Sequence, residues 1–361
     1  MKRDDEGGGR TENLVDLFVT VLEIDDDNRS EEAYWRNALR ELVRNAIDLL
    51  RLAGHRLSVD GLGDVIRSAP LSRQEAFEDA FVHGSFCASC IGEAYERTTA
   101  PNDRHDLRRT TQYWTEEFPS LPDKTRGCVL GMFGSLTSAF SRADFHQLFC
   151  TDSTFAPEDT FKGKIILLDL PTHTYETTGA IAQAVIKYVW QKAVARRPIT
   201  PDARPVFLWV DEAQEFVNSY DAAFQAITRS QRGCTVFLTQ NLPSYYVAMA
   251  GRAGEHEANK LLGNFQTLIF HQNTCPETNQ WASERIARTW QSRASFTIGA
   301  GGGSTTINQS PEFQVEPYDF TALRKGGPKH DFKVDAYVFQ GGRIWERTGK
   351  TWLPATFSQR Q

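Results

Sequence analysis

Two adjacent carboxylates, Asp211 and Glu212, directly follow the apolar run Val206-Phe207-Leu208-Trp209-Val210. Five apolar residues are too few for a soluble helix and suit a strand buried on both faces. The acids then fall at the strand's C-terminal end, where open α/β sheets place their ligands. An apolar strand ending Asp-Glu has the form of a Walker B element. There the Asp holds Mg²⁺ and the Glu orients or deprotonates the attacking water. A buried strand that merely ends in acids reads the same way. Gln240 ends the next short apolar run, Cys234–Gln240, where a neighbouring parallel strand would meet the same crevice. A polar residue there can sense a γ-phosphate, or simply cap the following turn. Arg229 and Arg232 precede that strand, with Gly233 between. An Arg at a strand entrance can reach a nucleotide on an adjacent subunit and stabilise charge on the transferring phosphoryl. It can equally be a solvated residue at a helix end.

These residues need a βαβ frame to bring them together, and the second part of the chain has its pattern. Gly163–Pro171 reads as a turn, a buried strand and a stop. Thr178–Arg197 follows as a helix, then the acid-ended strand, a helix through Phe216–Arg229, the Gln240 strand, and a fourth strand in Asn264–His271. Ile298–Ser310, rich in Gly, reads as a flexible loop. Val334, Ala336 and Val338 before Gly341-Gly342 and Ile344-Trp345 read as a hairpin. Upstream, Glu12 to about Pro122 is helical, most clearly Glu31–Gly54. There Trp35, Leu39, Leu42, Val43, Ala46, Leu49 and Leu50 share one face, Ser30 is the N-cap and Gly54 the stop. Ser58–Ser68, capped by Ser58, and Arg73–Tyr95 read as further helices. Cys87-Ala88-Ser89-Cys90 after His83 has the form of half a zinc site, but no second pair is evident, and buried structural cysteines are the favoured reading. Gly9-Arg10-Thr11 faintly resembles the end of a phosphate-binding loop. The Lys is Arg10, the Gly needed five residues earlier is Asp4, and no strand fits upstream.

The 361 residues carry 40 basic against 46 acidic side chains, a net charge of −6 that argues against a broad basic nucleic-acid surface. Hydrophobic content of 40% and charged content of 24% are those of a globular chain. No apolar run approaches the roughly 20 residues that span a bilayer, and Met1–Glu6 has no secretory h-region. Six cysteines without framework spacing favour a reducing compartment.

From about Ala33 onward the chain resembles the conjugative DNA-transfer ATPases, the type IV secretion coupling proteins of the TraG/TraD kind. The resemblance rests on Tyr34-Trp35-Arg36-Asn37-Ala38, Gly163–Pro171, Val206–Glu212, Thr239-Gln240-Asn241, Leu261-Leu262-Gly263-Asn264-Phe265 and Glu277-Thr278, in that order. It implies an α/β fold: a RecA-like, P-loop NTPase-type domain with a mostly parallel sheet and an inserted all-α domain. The implied division is a flexible segment and first helix over 1–29, the all-α domain over 30–126 and the motor with its C-terminal hairpin over 127–361. It also implies a cytoplasmic hexameric motor, or one held peripherally at the inner membrane, that uses ATP and Mg²⁺ to move single-stranded DNA or protein. Its partners would be relaxosome or effector proteins and secretion-channel proteins. Asp211 then corresponds to the Mg²⁺-holding Walker B Asp, Glu212 to the catalytic Glu, Gln240 to the sensor and Arg229 to the arginine finger. Arg232 is the alternative nucleotide-facing Arg.

Two family features are missing from these residues: the Walker A GxxxxGK[ST] with its strand, and the N-terminal membrane helices. The backbone nest and Lys that bind β- and γ-phosphates are therefore not encoded here, and strands lack a neighbour on an interior edge. The chain alone is expected to hydrolyse ATP weakly or not at all. One expectation is the C-terminal part of a coupling ATPase completed by a P-loop segment supplied elsewhere. The alternatives are a non-enzymatic adaptor binding partners through the helical domain and the surface near Asn279–Arg288, or a fragment of another FtsK/RecA-like translocase or helicase. Lys187, Arg196 and Arg197 are the candidate backbone-gripping basics.

Overall fold

Thr11–Leu22 (α1) and Glu32–Ala53 (α2) pack together in the first part of the computed structural model, which describes residues 11–22, 32–138, 140–141, 143–249, 254–299 and 302–360. The readings of Gly9-Arg10, of Ser30 and Glu31, and of the first ten residues as flexible lie outside the described residues. The helix periodicity of α2 holds: Leu39, Leu42, Val43, Ala46, Leu49 and Leu50 are all buried. Arg44 and Arg40 on its other side reach Glu12 and Asp16 of α1 at 2.6 and 2.7 Å. Gly54 ends the helix at φ +77, a backbone that L side chains resist. A side chain there would also run into Arg97, whose guanidinium donates to the Ala53 carbonyl.

Val59–Arg67 (α3) is capped as expected, with Ser58 Oγ accepting from Gly61 N–H at 3.0 Å. The stretch read as one helix over Arg73–Tyr95 is instead Asp79–Gly84 (α4) and Phe86–Arg97 (α5), because Ser85 turns extended and caps the second. Cys87 and Cys90 on α5 are fully buried, and burial pushes both thiols up, Cys90 to about 12. Pro101–Gln112 (α6), Asp123–Ser138 (α7) and Ala143–Phe149 (α8) complete the helical layer. Trp114, fully buried, donates its indole N–H to Asn45 of α2 at 3.3 Å.

Thr172–Arg196 (α9) packs on the same core through Ile181 and Val185. The segment before it is the largest departure from the sequence reading. Residues 164–171 form neither helix nor strand, and Ile165 and Leu167 are 96% and 87% exposed. Apolar character made this segment read as buried, yet burial needs a neighbouring layer that a local pattern does not supply.

The chain divides into two compact units, 1–206 with 230–233, and 207–229 with 234–361. Val206–Val210 (β1), Ser219–Thr228 (α10) and Gly233–Phe237 (β2) form a βαβ unit. β1 and β2 run parallel: Val206 N–H donates to Arg232 O at 3.0 Å, and Leu238 N–H to Val210 O at 2.9 Å. β1 alternates in burial instead of lying buried on both faces, since Phe207 and Trp209 are 55% and 66% exposed. Val210 packs on a core of Ala213, Val217, Tyr245, Leu261 and others, built by Leu242–Ala248 (α11) and Gly254–Leu262 (α12).

Thr267–Phe270 (β3) is the fourth strand read from the sequence. Pro276–Ile286 (α13) follows, then Arg288–Gly299 (β4), Gly302–Phe313 (β5), Lys333–Gln340 (β6) and Trp352–Ser358 (β7). β3 pairs antiparallel with β6, and β6 with β7, so parallel pairing among the described residues is confined to β1 and β2. The C-terminal hairpin exists with a longer turn than read: β6 pairs with Trp352–Ser358, and Trp345 makes only a bridge to Lys350. The described residues of the stretch read as a loop, 298–299 and 302–310, belong instead to the β4–β5 ribbon, in register from Arg288↔Phe313 to Gly299↔Gly302. Thr, Ile and Phe are residue types that favour strand.

Candidate functional site

The functional side chains sit where β1 and β2 end. Asp211 leaves β1 exposed, and its Oδ1 accepts from the Glu212 backbone N–H at 3.0 Å. Glu212 takes the left-handed conformation (φ 47, ψ 50), a strained state for a residue with a Cβ that costs about 1–2 kcal/mol. The surroundings hold it there. Ala213 N–H donates to Leu238 O of the neighbouring strand at 2.8 Å, and Glu215 N–H donates to Glu212 O at 2.9 Å. The sharp turn aims the Glu212 side chain along the strand ends instead of into the following helix.

Two amides then grip its carboxylate. Gln240 Nε2 donates to Oε1 at 2.9 Å, and Gln214 Nε2 to Oε2 at 2.6 Å. Together, Gln240 first and Gln214 second, they hold the Glu212 carboxyl below its usual range against a small opposing effect of burial. Gln214 is itself held by Thr239, whose hydroxyl donates to Gln214 Oε1 at 2.8 Å. The ends of β1 and β2 are thus joined twice, Glu212 to Gln240 and Gln214 to Thr239.

The next turn extends the network. Asn273 Nδ2 donates to Gln240 O at 2.7 Å, and Asn279 Nδ2 donates to Asn273 O at 3.0 Å. Asn241 caps α11 by accepting from Ser244 N–H at 3.0 Å, and Leu242 N–H donates to Thr278 Oγ1 at 3.0 Å. Asn279 and Ser283 are buried, so that face of α13 is internal, while Gln280, Glu284, Arg285 and Arg288 are exposed.

The structure therefore brings Asp211, Glu212 and Gln240 to one place. Arg229 ends α10 and is exposed, at the start of β2. It is separated from Glu212 by the length of a five-residue strand, roughly 16 Å. Arg232, at φ 49, donates to Pro201 O at 3.0 Å and Ala203 O at 2.5 Å, which ties it to the turn before β1. Lys187 and Arg197 are buried, and Arg197 donates to Gln231 O. Gln214 and Asn273 were missed in the sequence. Gln214 stands two residues after Glu212 and looks like any surface amide, and Asn273 lies 33 residues beyond Gln240.

A hard carboxylate such as Asp211 suits Mg²⁺, which takes one or two protein oxygens together with phosphates and water. Among the described residues no three His, Cys, Asp or Glu side chains form a closed metal cage. The donor set fits a cation shared with a phosphate and lacks a phosphate cradle of its own. No helix among the described residues is long and apolar enough to cross a membrane.

No protein-family model matches the chain, and no curated protein matches it. Solved structures do. The unbound monoclinic form of the bacterial conjugative coupling protein TrwBdeltaN70 is similar at TM-score 0.52 and 16% identity, over 98% of this chain and 70% of that one. Its trigonal form with sulphate gives 0.51 and 17%, over 98% and 71%. Plasmid coupling protein TrwB in complex with the non-hydrolysable GTP analogue GDPNP gives 0.50 and 16%, again over 98% and 71%. At this identity the likeness is one of fold: the chain has the α/β fold of the conjugative coupling protein TrwB, with which a RecA-like P-loop NTPase architecture is consistent.

Proposed function

We propose that the chain is the nucleotide-sensing and water-positioning part of a conjugative, type IV secretion coupling ATPase, a ring-forming motor that recruits and moves single-stranded DNA or protein. The observation that carries this reading is the Glu212–Gln240 contact at 2.9 Å, across the C-terminal ends of two adjacent parallel strands. The TrwB-like fold supports it, as does the nucleotide analogue bound to TrwB.

When bound, Mg-ATP would supply the electrophilic γ-phosphorus and a stabilised leaving group. Asp211 would hold the Mg²⁺. Glu212, held by Gln240 and Gln214, would orient or deprotonate the attacking water. Gln240 would exchange its bond to Glu212 for one to a phosphate oxygen, so the presence of a γ-phosphate is felt by Asn273 through the Gln240 backbone. Arg229, a strand length away, would act on a neighbouring subunit's nucleotide, while Arg232 keeps its local bonds.

These 361 residues contain no GxxxxGK[ST], which favours a second reading, a non-enzymatic adaptor of the same fold. ATP hydrolysis and partner capture separate the two. The purified chain is expected to release no phosphate above background from Mg-ATP. Co-production with a P-loop-bearing segment is expected to restore turnover, and Glu212→Gln to remove it. Hydrolysis by the chain alone, abolished by Glu212→Gln, would overturn the incomplete-site reading. Capture of relaxosome or channel proteins without any turnover would favour the adaptor.

A further inference from the structure

We infer that the cations gathered where β1 and β2 begin form a binding site for a compact oligophosphate anion, with Arg197, Arg204 and Arg232 as its guanidinium donors. No residue of the Asp211–Glu212–Gln240 group takes part, so the inference and the nucleotide reading stand or fall separately.

Three stretches of one compact unit meet here, 158–164, 196–204 and 230–233. They carry six cations, Lys162, Lys164, Arg196, Arg197, Arg204 and Arg232, against three acids, Glu158, Asp159 and Asp202, in a chain of net charge −6. Backbone contacts tie them together. Arg232 O accepts from Val206 N–H at 3.0 Å, and Arg232 Nη1 donates to Pro201 O at 3.0 Å and Ala203 O at 2.5 Å. Arg197 Nε donates to Gln231 O at 2.9 Å, and its guanidinium lies over Phe161, 5.1 Å from the ring centroid. Arg204 Nη1 comes within 2.6 Å of where a Cβ on Gly163 would stand. Gly163 is also at φ +92, so the turn and the seat of Arg204 both call for a residue without a side chain.

The cluster lacks counter-charge. Lys164 pairs with Asp159 at 3.1 Å. Arg197 and Arg232 donate only to neutral carbonyls, and Arg204 makes no hydrogen bond or ion pair among the described residues. Arg197 is 8% exposed, and burial first, then the nearby Arg232, pull its pKa down. Arg232 sits at φ 49, a backbone that a residue with a Cβ resists. Three guanidiniums held close, one buried and one strained, are unfavourable until an anion completes the group. A guanidinium fork matches two oxygens of a phosphoryl group. Three forks on adjoining backbone suit several phosphoryl groups in a small volume. A nucleic-acid strand calls instead for a long track of cations and free aromatic faces for stacking. Phe161, the aromatic ring here, already has Arg197 over it.

The test titrates the purified chain, at low salt without Mg²⁺, with sodium pyrophosphate by calorimetry. Sodium sulfate and a single-stranded oligonucleotide are run in parallel. Saturable pyrophosphate binding and a raised Tm are expected, with sulfate, a single tetrahedral anion, binding more weakly. Arg204→Gln is expected to weaken pyrophosphate binding at least about tenfold. Arg204→Lys is expected to recover part of it, since the charge returns without the fork. Arg204 holds no bond in the free protein, so circular dichroism and the ligand-free Tm of both variants should match the parent. No saturable pyrophosphate binding, or equal binding by Arg204→Gln, overturns the inference. Oligonucleotide binding that Arg204→Gln removes, without pyrophosphate binding, also overturns it and makes the cluster a nucleic-acid grip. Arg204-dependent pyrophosphate binding, with no ATP-analogue binding once a P-loop segment is supplied, keeps this site and removes only the nucleotide reading.

Discussion

Glu212 is a carboxylate whose orientation is set by two amides and a left-handed turn, and each device can be removed separately. Gln214→Ala would leave Glu212 with Gln240 alone and remove the amide oxygen that accepts from the Thr239 hydroxyl. In a preparation made active by a P-loop segment, about a tenfold fall in kcat with little change in KM is expected, since only the orientation of the attacking water suffers. Gln214→Glu should do more harm, because two carboxylates would then face each other. A rise in KM alone would instead place Gln214 in nucleotide binding. The acid pair and Gln240 were legible in the sequence because each ends an apolar run. Gln214 and Asn273 were not, because what marks them is a hydrogen bond across strand ends and not a residue type.

The elements differ in how far local pattern determines them. α2 satisfies its own periodicity and buries a full apolar stripe, and Leu50 on that stripe is 0% exposed. Leu50→Ala is expected to cost 2–5 kcal/mol through lost burial and a cavity, measurable as a lower denaturation midpoint of the helical unit. In the C-terminal sheet, Asp335 of β6 takes a bidentate grip from Arg324 at 2.6 and 2.7 Å and a hydrogen bond from Thr356 of β7 at 2.7 Å. The Arg324 bonds, then Thr356, hold its carboxyl well below the ordinary range. Its folded value lies below its unfolded value, so the stability it contributes is fully present above about pH 5 and is lost as pH falls through the carboxylate range. Asp335→Asn should lower the Tm most at pH 7 and by a clearly smaller amount near pH 2, as checked by melting curves at both. An equal loss at both pH values would mean that shape, not charge, is what Asp335 supplies. Segment 164–171 and the β4–β5 ribbon are where the local reading went astray. The first needed a neighbouring layer to be buried, and the second needed only its own cross-strand pairs, including Arg293–Glu312 at 2.5 Å, to leave the loop state.

At the scale of the whole molecule, Arg229 stands at one end of β2 and Glu212 beyond the other, so one chain does not close a site around both. If Arg229 acts on a neighbouring subunit, mixing Arg229→Ala chains with Glu212→Gln chains should restore part of the turnover that each lacks alone. Some subunit junctions then pair an intact Arg with an intact Glu. No recovery in mixtures that demonstrably co-assemble would remove the trans role. The amino-acid sequence by itself determined the acid-ended strand, the α2 face and the β1–α10–β2 unit, because each is written in residues adjacent or periodic along the chain. Tertiary structure alone decided that Gln214 and Asn273 join the site, that Lys187 and Arg197 are buried, and that β3 pairs with β6. Those outcomes depend on which distant segments pack together, and on the hydrogen bonds that buried or strand-end groups must then find.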